Sequence, residues 1–270
     1  MSLDSCGCLW GFGCNENGQL GLGPKVKQSH PRKIGVRTPV VSVSCGDSFT
    51  ACVDYDGGLW TFGDNRYGQL GLGTNVQFDK PQKVSLMVRI LSVHCGSQHT
   101  FCISREASSY VFGRNDEGQL GLGNNETIFI PVKSPLCNIK RVSCGDYHTI
   151  VQVKSGELFS CGSNCDGQLG IGNTENRNDF TTIPNLPDEI SQFCCGDQHS
   201  VFLTSEGTVY SVGRNDRGQL GIGNNLNQSS LKKLPLDQIQ TISCGNHHTM
   251  CVNNCGALYT FGYNEYGQLG

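Results

Sequence analysis

The stretch Leu9–Gly21 reads LWGFGCNENGQLG, and it decides the fold because the chain repeats it. The last copy, Leu258–Gly270, reads LYTFGYNEYGQLG. Each copy has an apolar segment, then Gly, a variable residue, Asn and the tetrapeptide Gly-Gln-Leu-Gly. The first glycine of this tetrapeptide recurs at intervals of 50, 50, 49, 51 and 49 residues, at Gly18, Gly68, Gly118, Gly167, Gly218 and Gly267. A fixed period of this length indicates a repeat architecture whose units share one core.

Each repeat offers four short β-strands separated by turns rich in Gly, Asn and Asp. We name them by content: the Val-Ser-Cys-Gly strand, the His-Thr strand, the Phe-Gly strand and a weaker Pro-x-x-Val strand. In the first repeat they begin near Val40, Phe49, Leu59 and Pro31. Four strands in about 50 residues are typical of a β-propeller blade, and packed blades cover each other's faces. One position of the Phe-Gly strand then packs between blades, and it holds Phe12, Phe62, Phe112, Cys161, Val212 and Phe261.

The number of blades follows less directly from the pattern. The chain has five Val-Ser-Cys-Gly strands and five His-Thr strands, but six Phe-Gly strands. We expect a single all-β propeller domain over residues 1–270, with five full repeats and one extra Phe-Gly strand. Five blades would close by mixing the chain ends, with the strand near Arg32 completing the last blade after Cys255–Gly262. The alternative is a fragment of a longer chain, since Gly270 ends inside the repeated phrase.

Composition excludes several classes of protein. Charged residues make up 16% of the chain and the formal net charge is −3, which argues against direct nucleic-acid binding. Neither a secretory signal nor an apolar run long enough to span a membrane is visible. With no signal, the 16 cysteines indicate reduced thiols. We therefore expect an intracellular monomer, cytoplasmic rather than nuclear.

The candidate chemical motifs have structural interpretations. Gly-Gln-Leu-Gly resembles a phosphate loop, but no helix follows it, so we interpret it as a turn. His99, His148, His199 and His248 share a position that Phe49 also occupies, which favours a ring nitrogen bonded to backbone over a metal or proton role.

The repeated cysteine position Cys52, Cys102 and Cys251 holds Val151 and Phe202 in other repeats, so it requires volume and not a thiolate. Acids such as Asp54, Asp56, Glu117 and Glu206 are expected in solvated turns. We expect no catalytic set, no metal and no cofactor, and hence no enzyme.

The informative residues are the pairs between Cys-Gly and His-Thr, which we call the tip loops. They vary while the residues around them do not. In a propeller they would form a ring on one face, where variable polar groups on a rigid scaffold are typical of binding. The pairs are Asp47-Ser48, Ser97-Gln98, Asp146-Tyr147, Asp197-Gln198 and Asn246-His247. The alternative is that these pairs lie in solvated turns and have no binding role.

The succession Val-Ser-Cys-Gly-x-x-His-Thr and Leu-Tyr-x-Phe-Gly-x-Asn-x-x-Gly-Gln-Leu-Gly resembles the repeat of the regulator of chromosome condensation family. The likeness covers nearly the whole chain and implies a β-propeller. The founding member is a seven-bladed exchange factor for the small GTPase Ran, and acidic and histidine residues of the same loop touch the GTPase. Asp47, Asp146, Asp197 and His247 match that pattern in type.

The resemblance thus implies a protein-interaction module that binds a Ran-, Rho- or Rab-type GTPase and acts as a guanine-nucleotide exchange factor. Other members are structural scaffolds or parts of ubiquitin ligases, and this is the alternative without exchange activity. The chain departs from the founder in having about five repeats, no basic N-terminal tail and no room for the hairpin that wedges into Ran.

Overall fold

The computed structural model describes residues 1–186 and 189–270, and in this part of the chain it contains 22 β-strands and no helix. The strands form six sheets of consecutive antiparallel strands, which are the blades of a β-propeller architecture. The chain divides into two compact units, Met1–Asp116 with Asn124–Ile139, and Glu117–Gly123 with Lys140–Gly270. No helix in the described residues is long and apolar enough to cross a membrane.

The first unit holds three blades. The first blade consists of β1 (Ser2–Leu3), β2 (Leu9–Gly13) and β3 (Gln28–Lys33). The second blade consists of β4 (Val40–Cys45), β5 (Phe49–Asp54), β6 (Leu59–Gly63) and β7 (Phe78–Lys83). The third blade consists of β8 (Ile90–Cys95), β9 (His99–Ser104), β10 (Ser108–Gly113) and β11 (Ile128–Cys137).

The second unit holds the other three blades. The fourth blade consists of β12 (Ile139–Cys144), β13 (His148–Val153), β14 (Leu158–Gly162) and β15 (Arg177–Thr182). The fifth blade consists of β16 (Ile190–Cys195), β17 (His199–Thr204), β18 (Val209–Gly213) and β19 (Gln228–Lys233). The sixth blade consists of β20 (Ile239–Cys244), β21 (His248–Asn253) and β22 (Leu258–Gly262).

The expectation of five blades is wrong, because the described chain forms six. The strand near Arg32 does not complete the last blade. It is β3, and it pairs with β2 in the register Gly11↔Arg32. The fourth strand of a blade is the next strand in the chain after its Phe-Gly strand, and consecutive strands usually pair as neighbours. The surplus Phe-Gly strand is therefore the centre of a blade of its own.

A single asparagine shapes the turn after each Phe-Gly strand. In the second blade, Asn65 Oδ1 accepts a hydrogen bond from the Leu70 amide at 3.0 Å, and Asn65 Nδ2 donates to the Thr74 carbonyl at 2.7 Å. Gln69 Oε1 accepts from the Tyr67 amide at 2.9 Å. These side chains satisfy backbone groups that no strand pairs, so the turn architecture predicted for Gly-Gln-Leu-Gly is confirmed.

The predicted packing position between blades is confirmed for most copies. Phe62 and Phe112 are fully buried, and each ring lies against the last glycine of the preceding turn. A Cβ on Gly71 would lie 2.8 Å from the Phe112 ring, and the glycine has φ +67°, so both space and backbone conformation require Gly. Phe12 is the exception, since 49% of it is exposed.

The fourth blade shows how the packing survives the loss of this phenylalanine. Cys161 stands at the position and is too small to reach Gly121 as a phenyl ring does. Phe180 of β15 lies against Gly121 in its place, so close that a Cβ there would overlap the ring. The aromatic group thus comes from the neighbouring strand, and the volume is filled from a different position of the sequence.

Two of the repeated histidines, His148 and His199, bond to a side-chain hydroxyl and not to the backbone as predicted. Nε2 of His199 lies 3.0 Å from Thr249 Oγ1, and Thr249 Oγ1 donates to the Gln219 carbonyl at 2.8 Å. Because the threonine proton is committed to that carbonyl, Nε2 must carry the histidine proton. His148 makes the same contact with Ser200 at 3.0 Å. Burial, with smaller effects from neighbouring histidines, lowers the pKa of His199 to about 3.

The interpretation of the repeated cysteine position is confirmed. Cys52, Cys102 and Cys251 are fully buried, as are Val151 and Phe202 at the same position. Burial raises the pKa of Cys52 to about 12. A thiol in this environment behaves as a small apolar group.

The expectation of a solvated turn is wrong for Asp54. This residue is only 3% exposed, and its carboxylate accepts hydrogen bonds from the Gly58 amide and from Trp60 Nε1, both at 2.7 Å. Burial raises the pKa of Asp54, but the hydrogen bonds from Trp60 and Gly58 outweigh this effect and keep it below the ordinary value. Asp54 therefore fixes the turn between β5 and β6.

Candidate functional site: the tip loops

The tip loops join the first two strands of five blades, and backbone hydrogen bonds connect neighbouring loops within each unit. In the first unit the Asp47 amide donates to the Ser97 carbonyl at 3.2 Å. In the second unit the Asp146 amide donates to the Asp197 carbonyl at 3.3 Å, and the Asp197 amide donates to the Asn246 carbonyl at 3.0 Å. The predicted residues of each unit are therefore brought side by side by their backbone.

The ten predicted residues differ in exposure. Asp47 and Asn246 are exposed, whereas Ser97 is buried and cannot offer its side chain to a partner. The remaining residues are half-buried, namely Ser48, Gln98, Asp146, Tyr147, Asp197, Gln198 and His247. Nine of the ten positions are thus accessible to solvent, as a binding role requires.

Sequence reasoning missed the second half of this surface, which is the residue after each Phe-Gly strand. The amide of this residue donates to the carbonyl of the second tip residue, so the two loops form one surface. Examples are Asp64 to Ser48 at 2.8 Å, and Arg214 to Gln198 at 2.8 Å. The complete set is Asp64, Arg114, Ser163, Arg214 and Tyr263. The signal was present, because this position also varies between an unvarying Gly and an unvarying Asn.

Two blades carry the same ion-pair constellation at this surface. In the third blade, Arg114 donates from Nη1 to Gln98 Oε1 at 2.8 Å, and from Nε and Nη2 to Asp116 at 2.7 and 2.5 Å. In the fifth blade, Arg214 repeats these bonds with Gln198 at 2.6 Å and with Asp216 at 2.9 and 2.7 Å. The hydrogen bond from Arg214 is the largest cause that lowers the pKa of Asp216. The guanidinium groups are therefore held in fixed orientations.

The carboxylate of Asp197 has a partner within the protein. Its Oδ2 lies 3.3 Å from Nε2 of His247 on the neighbouring tip loop, and only 14% of its side chain is exposed. Asp47 of the first unit is exposed, by contrast. The expected negative surface is therefore uneven, and Asp47 is more accessible to a cation of a partner than Asp197 is.

Aromatic rings and arginines stack at two further places on the surface. Arg114 lies over the ring of Tyr67 with 4.8 Å between the guanidinium carbon and the ring centroid. Arg217 lies over the ring of Tyr263 at 5.2 Å. The two places use the same pair of repeat positions with the residue types exchanged, since Tyr67 and Arg217 are equivalent, as are Arg114 and Tyr263. A cation over an aromatic face is favourable and keeps both side chains extended across the surface.

Comparisons with known proteins agree with this architecture. The profile of the RCC1-like domain matches residues 1–191. Two profiles of the regulator of chromosome condensation (RCC1) repeat match residues 206–252, and residues 190–219 with 239–268. Regulator of chromosome condensation from Mus musculus and from Homo sapiens are each 41% identical over 59 residues, which is 21% of this chain but only 14% of the relatives.

Solved structures show the same fold at lower identity. Human WBSCR16 aligns over 97% of this chain and 90% of its own, with 22% identity and a TM-score of 0.65. Yeast RCC1 (Prp20) bound to Kap60 aligns over 95% of this chain and 78% of its own, with 19% identity and a TM-score of 0.67. Prp20p from Saccharomyces cerevisiae, described with its binding properties to Gsp1p and histones, aligns over 98% and 83% with 20% identity and a TM-score of 0.67.

These matches and the repeated strands agree on one assignment, because the profile of one family covers more than half of the chain and the repeat profiles cover most of the remainder. The chain belongs to the RCC1-like domain family.

Proposed function

We propose that this protein is an interaction module whose tip loops bind a small GTPase of the Ran, Rho or Rab type and promote guanine-nucleotide exchange. One observation carries the proposal. The side chains of the tip loops vary and are mostly accessible, while their backbone is fixed by hydrogen bonds to neighbouring loops. A rigid backbone that presents variable polar groups is the arrangement in which binding residues are usually found.

The chemistry of exchange would be non-covalent. A GTPase holds its nucleotide with a lysine and a magnesium ion at the phosphates. An exposed carboxylate such as Asp47 would attract that lysine once the nucleotide leaves, and the nucleotide-free form would be stabilised. The related yeast Prp20p is described with binding to Gsp1p, which supports this partner class for the family fold. We place the activity in the cytoplasm and assign it no covalent catalysis.

The second candidate is a structural scaffold or a ubiquitin-ligase-associated repeat domain without exchange activity. The internal pairing of charged groups favours it. Arg114, Arg214 and Asp197 all bind partners within the protein, and these bonds lower their attraction for a second molecule. On this alternative the tip loops still contact a protein, but no GTPase releases nucleotide faster.

A nucleotide-release assay distinguishes the two candidates. Ran-, Rho- and Rab-type GTPases loaded with fluorescent GDP are mixed with the protein, and the release rate is measured. The exchange proposal expects acceleration for one class, and it expects the triple variant Asp47→Ala, Asp146→Ala and Asp197→Ala to lose most of it.

A matched control removes three exposed acids from turns between the second and third strands, with Asp56→Ala, Glu106→Ala and Glu206→Ala. This control should keep full activity, since those turns lie at the other ends of the strands. No acceleration with any GTPase would leave only the scaffold candidate, and equal loss in both triple variants would remove the tip loops from the site.

A further inference from the structure

A small cavity of about 180 Å³ opens on the tip-loop surface of the second unit. It is lined by Arg214, Asp216, Arg217, His247 and Tyr263. Only His247 of these residues belongs to the tip loops predicted from the sequence. The other four lie in the turn after the Phe-Gly strand of the fifth blade and at the start of the same turn in the sixth.

Two neighbouring rings pack against Tyr263, which forms the aromatic wall of the cavity. His247 meets the Tyr263 ring edge-on, with 6.2 Å between ring centroids and 86° between ring planes. Tyr266 also packs against Tyr263, with 6.0 Å between ring centroids and 71° between ring planes. His247 is in turn anchored by Asp197 at 3.3 Å. The aromatic wall of the cavity is therefore already ordered, and a ligand would not have to order it on binding.

Arg217 is the side chain of this lining that keeps unused hydrogen-bond donors. Two guanidinium groups, Arg214 and Arg217, face one carboxylate, Asp216. Arg214 binds Asp216 directly at 2.7 Å, whereas Nε of Arg217 is 4.0 Å from the same carboxylate. Among the described residues, no hydrogen bond uses the terminal Nη atoms of Arg217. Two further carboxylates touch lining residues, but Glu265 accepts from the Tyr263 hydroxyl and Asp197 pairs with His247. The unused donors of Arg217, which is half in solvent, therefore point to an anionic ligand.

The equivalent place in the first unit lacks this surplus. There the arginine of the stacked pair is Arg114 itself, and its nitrogens bind Gln98 and Asp116. Arg66 of the same unit binds Asp64 through both Nε and Nη2. Each arginine of that surface has its own carboxylate, so its charge is compensated. The exchange of Tyr and Arg between the two repeat positions is what leaves Arg217 without a carboxylate of its own.

We propose that this cavity binds the carboxylate of an acidic side chain on a protein partner. The proposal rests on the proposed function, because it assumes that the tip loops contact a protein, and it adds the chemistry of one contact. An arginine fork fits a carboxylate with two parallel N–H donors, and the Tyr263 face excludes water from one side. The first unit offers the partner an acid, Asp47, whereas this cavity accepts one. A partner surface that docks on this cavity must therefore carry an acidic group.

The cavity can be tested on the isolated protein, without a partner. Acetate is the probe, acetamide is the neutral control of the same shape, and sodium chloride keeps the ionic strength constant. The ¹⁵N–¹H signals of the arginine Nε groups are followed by NMR. We expect the Arg217 signal to shift saturably, with half-saturation below ~100 mM, while Arg66 shifts little. Acetamide should have no effect, and Arg217→Gln should leave the Arg214 signal insensitive to acetate.

Parallel and unsaturable shifts of Arg217 and Arg66, or equal shifts with acetamide, would overturn the proposal. A second experiment separates its failure from failure of the proposed function. The variants Arg217→Glu and Arg66→Glu, the second as control, are compared in their binding to the GTPase whose nucleotide release the protein accelerates. Loss of at least tenfold in affinity for Arg217→Glu alone supports the contact, and equal affinity of both variants refutes it. Acetate binding without any GTPase partner would reject the proposed function and leave the anion-binding cavity standing.

Discussion

The buried histidine His199 offers a direct test of the hydrogen-bond chain between blades, through the substitution His199→Phe. The side chain is fully buried, and Phe49 occupies the same position in the second blade, so the replacement fits the site. The hydroxyl of Thr249 keeps its bond to the Gln219 carbonyl in the variant. At pH 7.5 the lost histidine bond costs about 1 kcal/mol. Removal of the buried Nδ1, which has no hydrogen-bond partner within the described residues, offsets part of that cost.

The pH dependence of the free energy of unfolding gives a more specific test of His199. Burial lowers the pKa of His199 to about 3, whereas the unfolded chain titrates near 6.5. Between these values the unfolded state binds one more proton than the folded state, so stability falls as the pH falls. The slope is about 1.4 kcal/mol per pH unit for one histidine. Between pH 7.5 and pH 5.5, His199 should therefore remove about 1.4 kcal/mol of stability, and the Phe variant should not show this part of the loss.

The assay is urea unfolding at pH 7.5 and pH 5.5. The difference between the two free energies of unfolding is compared for the wild type, for His199→Phe and for His30→Gln, whose side chain is exposed. His199→Phe should reduce the difference by about 1.4 kcal/mol, and the surface control His30→Gln should not reproduce this reduction. His199→Ala should lose about 3 kcal/mol relative to the wild type at pH 7.5, because it leaves a cavity. At pH 5.5 this loss should be about 1.4 kcal/mol smaller, because the alanine variant also lacks the buried neutral histidine. An unchanged pH difference in His199→Phe would mean that His199 is not a buried neutral group, and the argument for its tautomer would fail.

Two further predictions test the frame of the blades. Asp54→Asn should lower the free energy of unfolding by about 2 kcal/mol, because the Gly58 and Trp60 donors lose a charged acceptor, whereas exposed Asp56→Asn should change it by less than about 0.5 kcal/mol. Because the pKa of Asp54 is lowered, its contribution to stability is present above about pH 4 and is lost as the pH falls below the pKa of an ordinary aspartate. Equal urea midpoints for Asp54→Asn and Asp56→Asn at neutral pH would contradict the stabilising role of Asp54. Phe112→Ala should cost about 4 kcal/mol, since the ring fills the space against Gly71, and half-exposed Phe12→Ala should cost less than about 1 kcal/mol. Calorimetric melting of both variants checks the difference, and similar losses would mean that burial does not separate the two positions.

Much of the fold could be predicted because the same pattern of strands and turns recurs in every repeat. The four strand types, the turns and the packing role of Phe62 and Phe112 all follow from spacing and residue type. The number of blades could not be predicted in the same way, because we required a full set of four strands for each blade. The first sheet has only the two-residue β1 beside β2 and β3, and the last sheet has three strands. Sheets form from whichever neighbours are present, so strand counts by type do not fix their number.

The site could be predicted only in part, for a physical reason. The tip loops were identified from their variability, but the residues that pair with them lie 16 positions further along the chain. Gln98, Arg114 and Asp116 recur 100 residues later as Gln198, Arg214 and Asp216, and this coincidence was visible in the sequence. Its meaning was not, because bond formation depends on the antiparallel register that brings the two loops together. The exchange of Phe180 for the missing ring at Cys161 was equally hidden, since it involves another strand.

The division of labour between side chains explains how one frame supports different surfaces. The blades are held by Asn, Gln, Thr and His side chains at fixed repeat positions, and by the amides and carbonyls of the tip loops. No tip side chain is needed for these bonds, so its identity can change without loss of the frame. The exchange between Tyr67 with Arg114 and Arg217 with Tyr263 is the example. It preserves the stacked pair, but it leaves Arg217 4.0 Å from a carboxylate that Arg214 already binds, beside the cavity that we propose to bind a carboxylate. The chemical difference between the two units therefore arises from substitutions that leave the strands and turns of the blades unchanged.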